Sequence, residues 1–209
     1  MLKALAAYAY ANRHMSNTFG GGPANAEMRP TARVKIEPLA DGAPTNMDAI
    51  MSDATWAGDE GKSLKAVAIK WGGGLIMSRV STIRAIMPSS FSAEAEALYE
   101  ATEMGDYLGD ALVEMDQIPE SSTLVMQDNQ GLVQTVQEKA KGGNKFHRRK
   151  IGLILERLAS RRYQVVHISD PQQPVDFMTK LVSKAKLRKS VAFLYNLSNA
   201  VLGSGKASG

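Results

Sequence analysis

Apolar residues along the chain recur with two different periods, and the change of period marks out the elements. Asp48 to Thr55 ends in a run that fits a first strand. Leu64 to Trp71 (LKAVAIKW) alternates, Gly72-Gly73-Gly74 supplies a turn, and Leu75 to Val80 (LIMSRV) fits the antiparallel return. Thr82 to Met87 reads as a further extended stretch that stops at Pro88. Ser89, Ser90 and Ser92 then offer helix caps, and Ala93, Ala97, Ala101, Met104, Leu108, Leu112 and Met115 recur at helical spacing behind them. Ser122 to Gln127 (STLVMQ) is a short apolar strand, and an amphipathic helix follows from Gln130 to about Lys139. Past the break at Gly142-Gly143, a basic helix shows Ile151, Ile154, Leu155 and Leu158 on one face. Tyr163 to Ile168 is a strand, Pro171 to Lys184 a loop and helix, and Lys186 to Leu202 a last helix carrying Val191, Leu194, Tyr195 and Ala200. Strands first, then alternating helix and strand, predict an α/β sheet of about five strands with helices packed on it.

The flanks read differently. Residues 1–45 hold an Ala-rich start and are then broken by Gly20-Gly21-Gly22-Pro23, Pro30, Pro38 and Pro44, which predicts a linker or connection, with Arg33 to Glu37 a short extended piece. The folded domain is expected over 46–202, and 203–209 (GSGKASG) as a disordered tail. The opening MLKALAAYAYA faintly resembles a signal peptide, but its apolar stretch is Ala-rich and weak. A cytoplasmic or nuclear location is therefore expected, and no apolar run approaches the roughly 18 residues that span a bilayer.

Composition narrows the chemistry. The 209 residues contain no cysteine, which removes disulfides and thiolate metal sites, and only three histidines, His14, His147 and His167. A metal would be held by oxygen ligands, as hard cations prefer. The net charge is only +4, but it is unevenly spread: Phe91 to Glu120 carries nine acids and no base, while Lys139 to Arg162 carries nine Lys or Arg and the single acid Glu156. One region can gather cations, and the other can neutralise phosphates through Lys145, Arg148 and Arg149, or both are simply solvated helix faces.

Some acids fall where a solvated surface does not put them. Asp53 lies within the first strand pattern, Glu96 beside the apolar stripe of the long helix, Asp128 directly after STLVMQ, and Asp176 near the start of a helix. Acids at strand ends and helix starts of one sheet can converge, and paired Mg²⁺ ions about 4 Å apart need several such oxygens to activate water against a phosphodiester.

Four segments, in order, carry a family resemblance. Ser52 to Asp59 reads SDATWAGD, Gly72 to Ala101 reads GGGLIMSRVSTIRAIMPSSFSAEAEALYEA, Gln127 to Gln130 reads QDNQ, and Pro174 to Lys180 reads PVDFMTK. They resemble SDADWAGD, GG…LISW…SSTEAEY…A, CDNQ and LADILTK of the ribonuclease H domain of copia-type LTR retrotransposons, over residues 50 to about 182. The resemblance implies a ribonuclease H-like fold, a five-stranded mixed sheet flanked by helices, and an Asp-Glu-Asp-Asp quartet holding two Mg²⁺, with Mn²⁺ as substitute. Carried over, the quartet is Asp53, Glu96, Asp128 and Asp176, with Glu96 preferred to Glu94 because the second glutamate of TEAEY is the ligand. Ser92 and Ala93, with Asn129 and Gln130, fall where the fold meets the minor groove of an RNA/DNA hybrid. His147 matches the histidine of the family's TKHI and is read as lining the basic surface. His167 is read as a partly buried strand residue, with assistance to the leaving group as the alternative. The family's Tyr, Cys and Trp are replaced by Ala97, by Gln127 and near Met77-Ser78, which indicates a diverged copy.

The implied activity is hydrolysis of the RNA strand of RNA/DNA hybrids, in a piece or stand-alone derivative of a polyprotein whose partner is a reverse transcriptase domain. A non-catalytic, domesticated RNA- or hybrid-binding module is the first alternative. A proofreading-type exonuclease usually opens with Asp-x-Glu, whereas Asp53 is followed by Ala54 and Thr55. A structural subunit using only the scaffold is the third alternative.

Overall fold

The structure is a computed structural model describing residues 49–57, 61–71, 74–115, 122–139, 145–160 and 162–195. The expected linker over 1–45, the tail and the glycine break at 142–143 lie outside these residues. Strands β1 (Ala49–Thr55), β2 (Leu64–Trp71) and β3 (Gly74–Thr82) form an antiparallel meander. β4 (Thr123–Gln127) and β5 (Tyr163–His167) continue the sheet in parallel on the other side of β1, giving the order β3-β2-β1-β4-β5. Parallel pairing of β1 with β4 sends both strands to the same end of the sheet, where Asp53 and Asp128 lie.

The extended stretch expected over Thr82 to Met87 does not join the sheet. Leu64, the first residue of β2, pairs with Thr82, so no ladder partner remains beyond it. The Ile83 amide instead donates to Ser63 O at 2.8 Å, and the loop is anchored by Ile83 and Met87, buried against Ala93.

Helix α1 (Ser90–Glu114) is capped by Ser89, whose hydroxyl accepts from the Ser92 amide at 3.3 Å. Asn129 caps α2 (Gln130–Gln137) in the same way, accepting from Leu132 N at 3.0 Å. α3 (Lys145–Ala159) follows, then a 3-10 turn at Asp170–Gln172, the single-turn α4 (Asp176–Thr179), and α5 (Lys184–Tyr195), which starts two residues before the sequence pattern suggests.

Side chains alternate across each strand, so neighbours serve opposite layers. Ile50, Val67, Ile69, Val125 and Val165 meet Leu98, Leu108, Leu132 and Ile154 of α1, α2 and α3. Met51, Ala68, Met126 and Val166 meet Val175, Phe193 and Leu194 beside α4 and in α5. Full burial of each large apolar side chain contributes about 1.5–3 kcal/mol, so both faces of the sheet hold it in register. The basic helix does not stand apart from the acidic one, as the charge pattern suggested. α3 packs on α1, with Lys150 Nζ 2.9 Å from Glu96 and Arg157 Nε 2.7 Å from Asp106.

Candidate metal centre

Asp53 is 1% exposed near the end of β1, on the face turned toward α4, where Thr179 donates its hydroxyl hydrogen bond to Asp53 Oδ2. Thr55 Oγ1 in turn donates to Thr179 O at 3.0 Å, so the short helix is tied to the central strand. Asp128 follows β4 in a turn shaped by Gln127, whose Oε1 accepts from the amides of Asp128 at 2.7 Å and Asn129 at 3.0 Å. Gln127 Nε2 reaches Ser52 Oγ at 3.3 Å, and Gln173 Nε2 donates to Ser52 O at 2.8 Å. Gln127, which stands where the resembled family has Cys, is thus a positioning residue for the turn that carries Asp128 and for the Ser52 beside Asp53. Its glutamine identity immediately before Asp128 was the only available signal, and one side chain bridging two strands has no sequence periodicity.

The glutamate that joins these acids is Glu94. Single oxygens of Asp53, Glu94 and Asp128 lie within 4.8 Å of one another. Glu94 precedes Leu98 by four and Ala101 by seven, which places it on the face of α1 that packs on the sheet, and it is 7% exposed. Glu96, the expected ligand, is corrected: two residues further on it lies about 200° around the helix. It pairs there with Lys65 at 3.2 Å and Lys150 at 2.9 Å, which hold its carboxyl below the usual range despite partial burial. Asp176, fully buried at the start of α4, groups with Asp128 and Asp170, again within 4.8 Å.

Electrostatics follow from the crowding. Desolvation, then the charges of Asp53 and Asp128, push Glu94 up from 4.5 to about 9. Asp128 is raised by desolvation and by Asp176. Asp53 is raised chiefly by burial, with Thr179 and Lys180 pulling the other way. Asp176 is raised to about 6 by burial against the opposing pull of Lys186. Asp53 Oδ1 and Glu94 Oε2 are buried without any hydrogen-bond partner. Such orphaned oxygens, converging with a third, are what a hard divalent cation satisfies, so these residues can hold a metal ion.

The other residues picked from sequence scatter. Ser92 is 3% exposed and borders a cavity, its hydroxyl between Ser89 Oγ at 2.9 Å and His147 Nε2 at 3.3 Å. Ala93 is fully buried. Asn129 is half-buried as a helix cap, and Gln130 is exposed beside it. Arg148 and Arg149 are exposed on α3, while the side chain of Lys145 lies outside the described residues. His147 is buried against the edge of Phe91, in the wall of a cavity that Arg149 and Lys150 also line, and burial lowers its pKa. His167 is exposed rather than partly buried, with Nε2 3.1 Å from Asp128 O. A cavity of about 750 Å³ lies beside the acids, not at them, walled by Arg79, Arg84, Arg149, Lys150, Glu96 and Glu100 among others.

No protein-family model matches the chain, and no curated protein matches it. Among solved structures, an RNase H1 isolated from compost by a metagenomic approach aligns at 23% identity with TM-score 0.52, over 64% of this chain and 92% of that one. The N-terminal RNase H domain of a Mycobacterium tuberculosis protein, solved fused to maltose-binding protein, aligns at 11% identity with TM-score 0.50, over 63% and 91%. The five-stranded mixed sheet with its flanking helices is the ribonuclease H fold, and the acidic group at the ends of β1 and β4 lies on that scaffold.

Proposed function

We propose that the chain is a metal-dependent ribonuclease H that hydrolyses the RNA strand of RNA/DNA hybrids, derived from a copia-type retrotransposon. The observation that carries this reading is the convergence of Asp53, Glu94 and Asp128, with two of their buried oxygens unpartnered, on the ribonuclease H fold. Asp53, Glu94 and Asp128 would hold Mg²⁺ or Mn²⁺, with Asp176 at the outer side. Mg²⁺, when bound, supplies a Lewis acid that activates water and offsets charge on the leaving oxygen.

The chain's own residues do the rest. Thr179 fixes Asp53, and Gln127 fixes the backbone that aims Asp128. Burial and the charges of Asp53 and Asp128 push Glu94 up to about 9, so it would have to give up its proton to hold a cation. Asn129 and Gln130 flank Asp128 where a minor groove would lie, and the exposed Arg148 and Arg149 offer charge to phosphates. Recognition would follow helix shape and 2′-hydroxyls rather than sequence. The four segments similar to the copia-type domain support the origin, and in that setting a reverse transcriptase domain is the expected partner.

The test is incubation with end-labelled RNA/DNA hybrid, single-stranded RNA and DNA duplex, each with Mg²⁺ or with chelator. Cleavage confined to the RNA of the hybrid and to the Mg²⁺ samples is expected. Hybrid binding without cleavage under all conditions would replace the enzyme with a binding module.

A further inference from the structure

The acids form two groups sharing Asp128, and the groups differ in their cations. In the first, Asp53, Glu94 and Asp128 make no ion pair within 4 Å among the described residues, although the Lys180 charge also acts on Asp53 and Asp128; oxygens without a hydrogen bond occur in both groups, Asp53 Oδ1 and Glu94 Oε2 in the first and Asp176 Oδ1 in the second. In the second, Asp128, Asp170 and Asp176 already contain ammonium groups. Lys180 Nζ lies 3.1 Å from Asp176 Oδ1 and 3.4 Å from Asp170 Oδ1, and Lys186 Nζ is bonded to Asp176 Oδ2 and 3.6 Å from Asp170 Oδ1. Lys186 also donates to the Asp170 carbonyl. These contacts are built into the fold. Lys180 follows Asp176 by one helical turn, and Lys186 lies in the first turn of α5, only 17% exposed.

Resting on the reading of the site as a metal centre, we propose that Lys180 and Lys186 are resident cations of the Asp176 side. The chain then holds one divalent ion firmly, at Asp53, Glu94 and Asp128, and Asp176 joins a metal shell only by exchanging its lysines. The physical ground is competition: a buried carboxylate already paired with two ammonium groups gains less from a further cation than an unpaired one. The lysines are positioning residues that neutralise the fourth acid and set how many ions the site takes.

Mn²⁺ binding to the full-length chain, followed by calorimetry and by electron paramagnetic resonance of free Mn²⁺, reads this without turnover. The wild type should take one equivalent, and Asp53→Asn should lose it. Lys180→Met/Lys186→Met should gain a second equivalent, tighter by about tenfold or more than any second binding in the wild type. Adding Asp176→Asn to that variant should remove the gain, and Lys186→Arg, which keeps the charge, should stay at one equivalent and gives the reading should the double variant fail to melt cooperatively. Two equivalents of equal affinity in the wild type or in Lys186→Arg, or no gain in a folded double variant, would overturn the role of the lysines. Undiminished Mn²⁺ binding by Asp53→Asn would instead overturn the metal centre itself.

Discussion

At the scale of single residues, the difference between Glu94 and Glu96 is one of helical phase. Both glutamates stand in the same short motif, and alignment by motif chose the one that faces Lys65 and Lys150. A signal for Glu94 was present in the apolar stripe: Leu98 and Ala101 share a face with it, and a proposed ligand on α1 has to lie on the face that meets the sheet. The strand-end placement of Asp53 and Asp128 was legible because strand ends are marked by where an apolar run stops. Glu94→Gln should lower hybrid cleavage about a hundredfold or more, the scale of losing a group that stabilises the transition state, with Mn²⁺ binding weakened in parallel. Glu96→Gln should keep Mn²⁺ binding at the wild-type level, and equal losses in both variants would return Glu96 to the site. A pH effect belongs to the same residue. Its folded pKa of about 9 lies above the ordinary glutamate value of 4.5, so the folded state binds the proton more tightly than the unfolded chain does. That stabilisation is complete below about 4.5 and lost as pH rises toward 9. Thermal unfolding of the metal-free protein should therefore show a lower Tm at alkaline than at mildly acidic pH, with the slope reduced in Glu94→Gln. An identical slope in that variant would assign the effect to other groups.

At the scale of elements, the sequence predicted the five strands and the long helices of the described residues but not how closely α1 lies on the sheet. That closeness is set at Gly105, where an added Cβ would stand 2.7 Å from Ile50 Cδ1 and 2.9 Å from the Tyr163 ring. Tyr163 cannot retreat easily, because its hydroxyl donates to Asp106 at 2.8 Å, and Asp106 is held by Arg157. From sequence Gly105 is only a weak helix residue, since a close approach between elements is invisible in one chain's periodicity. Gly105→Ala should destabilise by about 1–3 kcal/mol through overpacking. Gly109, one turn on, meets nothing within 4 Å, and Gly109→Ala should stabilise by about 0.5–1 kcal/mol from helix propensity alone. Urea unfolding of the pair checks this, and two substitutions of the same sign would mean that α1 does not lie as close to β1 and β5 as described. The extended stretch after Thr82 was misread for a related reason: a β-like pattern makes a strand only where a partner still has residues to pair, and β2 begins at Leu64.

At the scale of the whole molecule, the opposed charge blocks were legible but their placement was not. The acidic and basic helices pack together, and charges cancel pairwise between them, Lys150 with Glu96 and Arg157 with Asp106, while Arg162, beyond α3, lies 3.3 Å from Asp110. Bases consumed in this way are poor phosphate ligands, which narrows the nucleic-acid surface to those left outward. Arg148 and Arg149 are exposed at the start of α3, and Arg149 also borders the cavity that holds Arg84, near the N-terminal turn of α1 that carries Glu94. A duplex lying over the acids would pass within reach of that rim, where each phosphate neutralised releases counterions and makes binding fall with salt. Arg148→Ala/Arg149→Ala should raise KM for a hybrid and reduce the slope of log affinity against log salt by about one unit per lost phosphate contact. The turnover number at saturating substrate should stay near wild type, because neither arginine touches the acids. Lys150→Ala is the control that separates local charge from general charge, since its ammonium is already committed to Glu96. If all three substitutions flatten the salt dependence equally, the hybrid is held by diffuse positive potential; if none does, its phosphates run along another face of the sheet.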